Sequence, residues 1–354
     1  MAGNTIGTFF RVTTWGESHG RAIGAVVDGC PPQIPLSEDE IQEVLNRRRP
    51  GGPISSPRRE EDRVEILSGV FEGKTLGTPI SLVIWNCDVQ SRDYDHLRDV
   101  FRPGHGDFTY QKKYGFRDHR GGGRSSGRET AARVAAGVVA GKVIARGGIQ
   151  VIAFTREIGG IRAKEVDLDR LTDNPLFCPD ARAAREMEAR LKEVKEKGDS
   201  VGGIVEIWVK GCPAGLGEPV FDKLDADLAH ALMGIGAVKG VEIGAGFQAA
   251  RLKGSENNDP ITPAGFLTNQ AGGILGGISS GQEIVIRVAC KPIPSISVPQ
   301  DTIDVQGRKR TIVIEGRHDV CVIPRIVPVC EAMVQIVLAD HLLRQEALRC
   351  YRNP

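Results

Sequence analysis

Residues 117–140, RDHRGGGRSSGRETAARVAAGVVA, decide the fold and the position of the candidate site. Three consecutive glycines, 121–123, let the backbone approach a ligand without an intervening Cβ. Ser126 and Glu129 have the spacing of a capping box, which predicts that a helix begins there. The free amide groups and the dipole at a helix start favour an anion. The stretch predicts a phosphate cradle, and the alternative is a glycine-rich loop with solvated arginines.

The helix behind this cradle is apolar on nearly every side, at positions such as Ala131, Val134, Ala135 and Val138. A helix without a polar face is buried on most sides. We therefore expect the anion site at the end of a helix deep in the molecule. The cradle has neither the Gly-Lys-Ser/Thr end of a P-loop nor the G-x-G-x-x-G pattern of dinucleotide-binding turns.

Composition excludes several classes of protein. The 354 residues carry a net charge of +1 and only 5% aromatic residues, which disfavours binding along a nucleic acid strand. We find no uncharged stretch long enough to span a bilayer and no signal peptide at the N-terminus. The eight cysteines are scattered without a C-x-x-C pair, so we expect free thiols in a reducing cytoplasm and no zinc site.

The order of predicted elements favours one α+β domain, residues 1–354, with antiparallel sheets, over two βαβ domains. Residues 22–27 read as a strand, and the capping box of Ser37 and Glu40 predicts a helix. Asp222 is expected to cap a later helix, and residues 328–349 form the closing helix, core or interface rather than a membrane span. Residues 88–126 show little periodicity.

Two histidines with glycine neighbours, His19 and His105, are candidate proton donors. A triad of Ser18, His105 and Asp319 can be written, but it lacks a nucleophile elbow and a hydrolase is disfavoured. The arginine run between Arg47 and Arg63 is either a solvated loop or part of a site. The residues alone indicate an enzyme that binds a polyanion and uses general-acid histidines.

Long motifs in this sequence resemble the chorismate synthase family. They include GESHGRAIGAVVDGCP (residues 16–31), GRSSGRETAARVAAGV (residues 123–138) and RHDVCVIPRIVPVCEAM (residues 317–333), together with RRRPGG, FRPGHGD and AGGILGGISSGQ. The resemblance covers nearly the whole chain. It implies a fold in which a helical layer lies between two four-stranded antiparallel sheets, assembled as a homotetramer.

The resemblance also implies an activity. Such a lyase of the shikimate pathway converts 5-enolpyruvylshikimate 3-phosphate into chorismate and phosphate, by a 1,4-anti elimination. Reduced FMN (FMNH2) is required without net redox change. The flavin and the substrate together carry two phosphates and two carboxylates, which accounts for the arginines.

By the same resemblance, His19 protonates the leaving phosphate and His105 keeps the reduced flavin in the right protonation state. Ser18 and Asp319 relay a proton from flavin N5. Arg48 and Arg128 hold substrate anions. The implied FMN contacts are Arg124, Ser125, Ser126, Gly236, Ala237, Gly276, Lys291, Pro292, Ile293, Pro294, Ser295 and Arg317.

Three positions depart from the family pattern. Gly236 stands where Asn is usual, Ile293 stands where Thr is common, and no arginine follows Gly52 until Arg58. No NADPH motif is recognisable, so an external flavin reductase is expected, while reduction of the flavin by the chain itself stays open. The competing hypotheses are an oxidoreductase that consumes NADPH and a non-catalytic module that binds a polyanion such as RNA.

Overall fold

The computed structural model describes residues 3–49, 61–87, 91–314 and 319–349. Within these ranges the helices are α1 (Glu38–Arg48), α2 (Asp107–Tyr114), α3 (Thr130–Ala145), α4 (Ala181–Glu196), α5 (Leu224–Met233), α6 (Gly254–Asn257) and α7 (Ile323–Arg349). The strands are β1 (Thr5–Ile6), β2 (Arg11–Gly16), β3 (Ala22–Asp28), β4 (Val64–Ile66), β5 (Val70–Phe71), β6 (Lys74–Thr75), β7 (Ile80–Trp85), β8 (Gln150–Ile158), β9 (Ile161–Arg162), β10 (Gly203–Lys210), β11 (Val238–Ile243), β12 (Ile261–Thr262), β13 (Gly265–Phe266), β14 (Ile274–Leu275), β15 (Ile278–Ser279), β16 (Ile284–Cys290), β17 (Gln300–Ile303) and β18 (Lys309–Ile312).

The longer strands form two antiparallel sheets. The first has the order β1-β2-β3-β7-β4 and the second has the order β11-β16-β10-β8-β9. The α+β class with antiparallel sheets is therefore confirmed. The expectation of four strands in each sheet is corrected to five, because a two-residue strand extends one edge of each: β1 pairs with β2, and β9 pairs with β8.

Two helices occupy the space between the sheets. Helix α3 packs on β3 and β7 of the first sheet, α7 packs on β8 and β10 of the second, and the two helices pack on each other. A Cβ at Gly137 of α3 would lie 2.3 Å from the Cβ of Ala332 on α7, so the glycine allows their close approach. The apolar helix predicted behind the cradle is buried, with residues such as Ala131, Val134 and Ala135 fully enclosed.

Helix α7 is long and apolar enough to cross a membrane by length and composition, over residues 323–348. Within the protein, 89% of the most apolar 18-residue stretch of this helix is buried, so the apolar composition of the helix is explained by its place in the core. The helix also anchors the N-terminal segment. Oδ1 of Asp340 accepts the backbone N–H groups of Thr8, Phe9 and Phe10, at 2.9, 2.6 and 2.9 Å.

One of the two predicted capping boxes is formed. Ser37 and the residue three positions later bond reciprocally at the start of α1, as expected. Ser126 instead caps a 3₁₀ turn, Gly127–Glu129, that precedes α3. The Glu129 carboxylate does not complete the box, because it accepts hydrogen bonds from the Thr14 hydroxyl and the Arg133 guanidinium.

Two other helix predictions are corrected, and one helix was not predicted. Helix α5 has Lys223 as its N-cap, since the carboxylate of Asp222 pairs with Arg344 of α7. Helix α7 begins five residues before Pro328, which lies inside it; the loss of one N–H donor is tolerated in a helix held by packing on both sides. Helix α2 lies in the segment without clear periodicity, and its only buried residue is Asp107.

Candidate active site

The three glycines form a loop in front of α3, with φ values of 67°, 106° and 54° at Gly121, Gly122 and Gly123. These left-handed conformations favour glycine. A Cβ at Gly121 would lie 2.0 Å from Cε1 of His19, and a Cβ at Gly122 would lie 2.9 Å from Cε1 of His105. The fold therefore brings both candidate histidines against consecutive residues of one loop.

His19 lies in the connection between β2 and β3. Its Nδ1 is 3.1 Å from Oγ of Ser18, and its ring meets the Tyr94 ring edge to face at a centroid distance of 5.1 Å. Ser18 is buried, and its Oγ would be 3.1 Å from a Cβ at Gly121. The Ser18–His19 pair is thus fixed between the glycine loop and an aromatic ring.

His105 lies two residues before the side chain that fixes it, Asp107 at the start of α2. The distance from Nδ1 to Oδ1 of Asp107 is 3.0 Å. Burial lowers the pKa of His105, with a further lowering from the charges of Arg102 and Arg117 and an opposing effect of Asp107. At neutral pH the ring is therefore an uncharged imidazole.

A cavity of about 510 Å³ opens beside the glycine loop. Most of the candidate residues from the sequence line it: Arg48, His105, Arg124, Ser125, Ser126, Gly236, Ala237, Lys291, Ile293, Pro294, Ser295 and Asp319. They come from α1, the segments before α2 and α3, the turn after α5, the chain after β16 and the chain before α7. Asp319 is ion-paired with Arg325.

Five described candidates do not line this cavity. Ser18 and His19 stand behind Gly121, which does line it. Pro292 lies between two lining residues, and Arg128 is buried beside the cavity. Gly276 occupies the turn of the β14–β15 hairpin, where a Cβ would meet nothing within 4 Å. Arg317 lies outside the described residues, and its assignment stays a prediction.

Arg48 and Arg128 share one buried carboxylate. Nη2 of Arg48 lies 2.7 Å from Oδ2 of Asp62, and Nη1 of Arg128 pairs with Oδ1 of the same group. Nε of Arg128 also donates to Oδ1 of Asn86 at 2.8 Å. The two guanidinium groups therefore converge on one buried position beside the cavity, and guanidinium groups bind anions in a defined geometry.

Two arginines beside the glycine loop, Arg124 and Arg120, make different contacts. Arg124 donates to the Thr14 hydroxyl at 2.8 Å and to the backbone carbonyl of Gly16 at 3.3 Å, so it ties the end of β2 to the loop. Arg120 pairs with the neighbouring Asp118 and does not line the 510 Å³ cavity. Arg120 instead lines a neighbouring cavity together with Gly122, Gly123 and Ser125, so its positive charge lies beside the glycine loop.

Among the described residues that line the cavity, cationic side chains outnumber the carboxylates of Glu129 and Asp319; the cations are Arg48, Arg102, Arg124, Arg133, Lys291 and Arg325. Guanidinium groups bind phosphates and carboxylates, so this lining suits an organic polyanion. Among the residues that the structure describes, no group of three His, Cys, Asp or Glu side chains could hold a metal ion.

Three of these cations were not among the candidates from the sequence. Arg102 and Arg325 stand within motifs noted there, FRPGHGD and RHDVCVIPRIVPVCEAM, but nothing in the spacing indicated which way they face. Arg133 follows Glu129 by four residues and pairs with it at 2.8 Å. That i,i+4 spacing was the one available signal.

Comparison with known proteins identifies the family of this chain. A family model described as Chorismate synthase matches residues 10–343. The chorismate synthase of Syntrophus aciditrophicus (strain SB) is 66% identical over 353 residues, 98% of this chain and 99% of the relative. That of Methanosarcina mazei is 57% identical, with 97% of each chain covered. A crystal structure of a chorismate synthase has a TM-score of 0.76 and 36% identity, covering 96% of this chain and 93% of its own. The chain therefore belongs to the chorismate synthase family of lyases.

Proposed function

We propose that this protein converts 5-enolpyruvylshikimate 3-phosphate into chorismate and phosphate, the last common step of aromatic amino acid biosynthesis. The proposed reaction is a 1,4-anti elimination that requires reduced FMN without net redox change. The observation that carries the proposal is that His19 and His105 both contact one glycine loop, beside a cavity whose described lining has more cations than carboxylates. A substrate with a phosphate and two carboxylates matches this excess of positive charge.

The residues present fit a flavin mononucleotide. A volume of about 510 Å³ lies in the range of ligand pockets, roughly 300–1,000 Å³. Arg124, Ser125 and Ser126 would hold it on one side, with Gly236, Ala237 and residues 291–295 on the other. Beside Gly236 a Cβ would meet nothing within 4 Å, so the replacement of the usual Asn leaves open space there. When bound, the reduced flavin supplies electron density to the eliminating system.

The protein's own groups supply binding and proton control in this proposal. His19, held by Ser18, donates a proton to the leaving phosphate, and Arg48 and Arg128 hold anionic groups of the substrate. Neutral His105 keeps a hydrogen-bonding nitrogen beside the loop. Ser18 and Asp319 complete the proton pathway, with Asp319 held by Arg325 at the cavity wall.

We further propose a single domain over residues 1–354, assembled as a homotetramer in the cytoplasm, with an external flavin reductase as partner. Exposed apolar side chains support self-association: Phe221 is 90% exposed and Phe247 is 77% exposed. Gly276 and Arg317 are proposed as further flavin contacts on the resemblance alone.

The test is turnover without oxygen. Purified protein, chemically reduced FMN and 5-enolpyruvylshikimate 3-phosphate should give chorismate and phosphate in equal amounts, with no net flavin oxidation. Folded protein that forms neither product refutes the proposal. A second assay replaces the reduced FMN with oxidised FMN and NADPH. Loss of NADPH in proportion to product would identify an oxidoreductase. Product formation without such a proportional loss would show that the chain reduces its own flavin.

A further inference from the structure

Asp107 contacts His105 and is itself surrounded by arginines. The carboxylate accepts from Nε and Nη2 of Arg102 at 2.7 and 2.8 Å, and from the backbone N–H of Arg102 at 3.1 Å. Nη1 of Arg117 lies 3.5 Å from Oδ1, the same oxygen that is 3.0 Å from Nδ1 of His105. Asp107 is 3% exposed. The function proposed above assigns it no role.

We propose that Asp107 is a positioning residue that fixes His105 in one tautomer, with the proton on Nδ1 and the lone pair of Nε2 directed at the glycine loop. The geometry supports this direction, since a Cβ at Gly122 would lie 3.0 Å from Nε2 of His105. The structural part of the proposal stands alone. Its catalytic consequence rests on the proposed function.

The tautomer follows from the state of the carboxylate. Burial opposes the charge of Asp107, but hydrogen bonds from Arg102 and His105 hold the pKa of Asp107 well below its usual range. An ionised carboxylate can only accept hydrogen bonds. Nδ1 of His105 must therefore donate to it, and in a neutral ring Nε2 is left as the acceptor.

The arginines also keep the ring neutral. Arg102 and Arg117 bring two positive charges to one negative charge, so protonation of His105 would add a further cation to a buried cluster. The glycines on either side of His105 have polar neighbours: Ser125 and Tyr110 lie near Gly106, and Nζ of Lys291 donates to the carbonyl of Gly104 at 2.5 Å. Of these groups only Asp107 is an anion.

The cluster is rigidly held. Nη2 of Arg117 donates to the backbone carbonyls of Leu97, Arg98 and Val100, at 2.9, 3.0 and 3.0 Å. The Arg102 guanidinium faces the Tyr94 ring at 5.9 Å, and that ring contacts His19. The pair of Arg102 and Asp107 therefore supports both histidines, one by a hydrogen bond and one through an aromatic ring.

The test is nitrogen NMR of the full chain labelled with ¹⁵N-histidine, with the His105 signals among the seven histidines identified by their loss in His105→Gln. In the wild type we expect a protonated Nδ1, a bare Nε2 and a titration below the ordinary value of about 6.5. A wild-type His105 that carries its proton on Nε2, or exchanges between tautomers, overturns the proposal without any variant.

Asp107→Asn adds the second arm. The amide can donate to Nδ1 as well as accept from it, so we expect a shift toward the Nε2–H tautomer. Turnover should fall by roughly 10²-fold or more, in kcat rather than in KM, with partial rescue in Asp107→Glu. Asp167→Asn, which removes the exposed partner of Arg170, is the matched control and should change neither signal nor rate.

The outcomes separate the two proposals. An unchanged tautomer and rate in Asp107→Asn overturn the role of Asp107, whatever the reaction. A wild type with the expected tautomer that forms no chorismate refutes the proposed function and leaves the structural assignment of His105 supported.

Discussion

His19 and His105 contact the same loop at consecutive residues, Gly121 and Gly122, although they belong to distant parts of the chain. One comes from the connection between β2 and β3, and the other comes from the turn before α2. The loop therefore sets the distance between the two candidate proton-transfer groups. A change in its backbone displaces both histidines relative to the cavity.

Removing either imidazole should abolish most of the activity. His19→Ala and His105→Ala should each lower turnover by roughly 10²-fold or more, the usual scale for a general acid or base. Turnover is measured as chorismate formation without oxygen. His230→Ala, which alters an exposed histidine of α5, is the control. Wild-type rates in the first two variants would refute the assignment.

The glycine loop should tolerate a methyl group at one position and not at another. Gly123→Ala meets its nearest atom at 3.7 Å, so it adds only the left-handed strain of about 1–2 kcal/mol. Gly121→Ala adds the same strain and forces the His19 ring to move. We expect a further loss of turnover of roughly 10²-fold from this misplacement. Equal rates in the two variants would contradict the close contact.

Replacement of Arg124 should weaken flavin binding before it lowers turnover. Its guanidinium holds β2 to the glycine loop, so Arg124→Ala removes both a cation and the anchor of the cradle. We expect reduced FMN to bind roughly 10-fold more weakly or worse, as for a lost hydrogen bond to a charged group. Arg182→Ala, which removes an exposed arginine of α4, is the control. An unchanged affinity for Arg124→Ala would place the phosphate site elsewhere.

Stability should depend on pH through His105. Its pKa is lowered in the folded state, mainly by burial, so the unfolded chain binds more protons below about 6.5. The free energy of unfolding should therefore rise with pH from the lowered folded value up to about 6.5, and this group contributes no further change above it. Urea titrations of the wild type and His105→Gln across this range isolate the contribution. The opposite slope would show a raised pKa.

The cysteines should differ in how readily iodoacetamide modifies them. Burial raises the pKa of Cys290 and Cys321 to about 12 and that of Cys30 and Cys212 to about 11, whereas Cys87 is exposed. At about pH 8, iodoacetamide should modify Cys87 and leave those four unmodified in the folded protein. Peptide mass spectrometry reads out each site, and urea provides the control. Modification of Cys290 in native protein would contradict its burial.

Local signals in the sequence predicted the parts of the site that depend on a few neighbouring residues. The positive φ of Gly121–Gly123, the burial of α3 and the capping of α1 by Ser37 all follow from such signals. The contacts of Arg124 with β2 could not be predicted, because Thr14 and Gly16 lie more than 100 positions away in the sequence. Asp107 was missed because its contact with His105 depends on the turn that starts α2.

Contacts in the site between residues that are distant in the sequence could not be predicted from residue spacing for the same reason. Asp62 joins Arg48 to Arg128 only because α1 and the start of α3 pack together. Family resemblance supplied the residues that surround one cavity, and the structure adds the contacts among them. It also shows that Glu129 binds Thr14 and Arg133 rather than closing a capping box.

The hold of Asp340 on Thr8, Phe9 and Phe10 has a consequence for biosynthesis. The segment that leads into β2, and through it to the His19 loop, is translated 330 residues or more before its anchor. Nascent or truncated chains that end before Asp340 therefore lack the hydrogen bonds that hold residues 8–10 beside the candidate active site. Activity should emerge only after Asp340 has been translated and has left the ribosome.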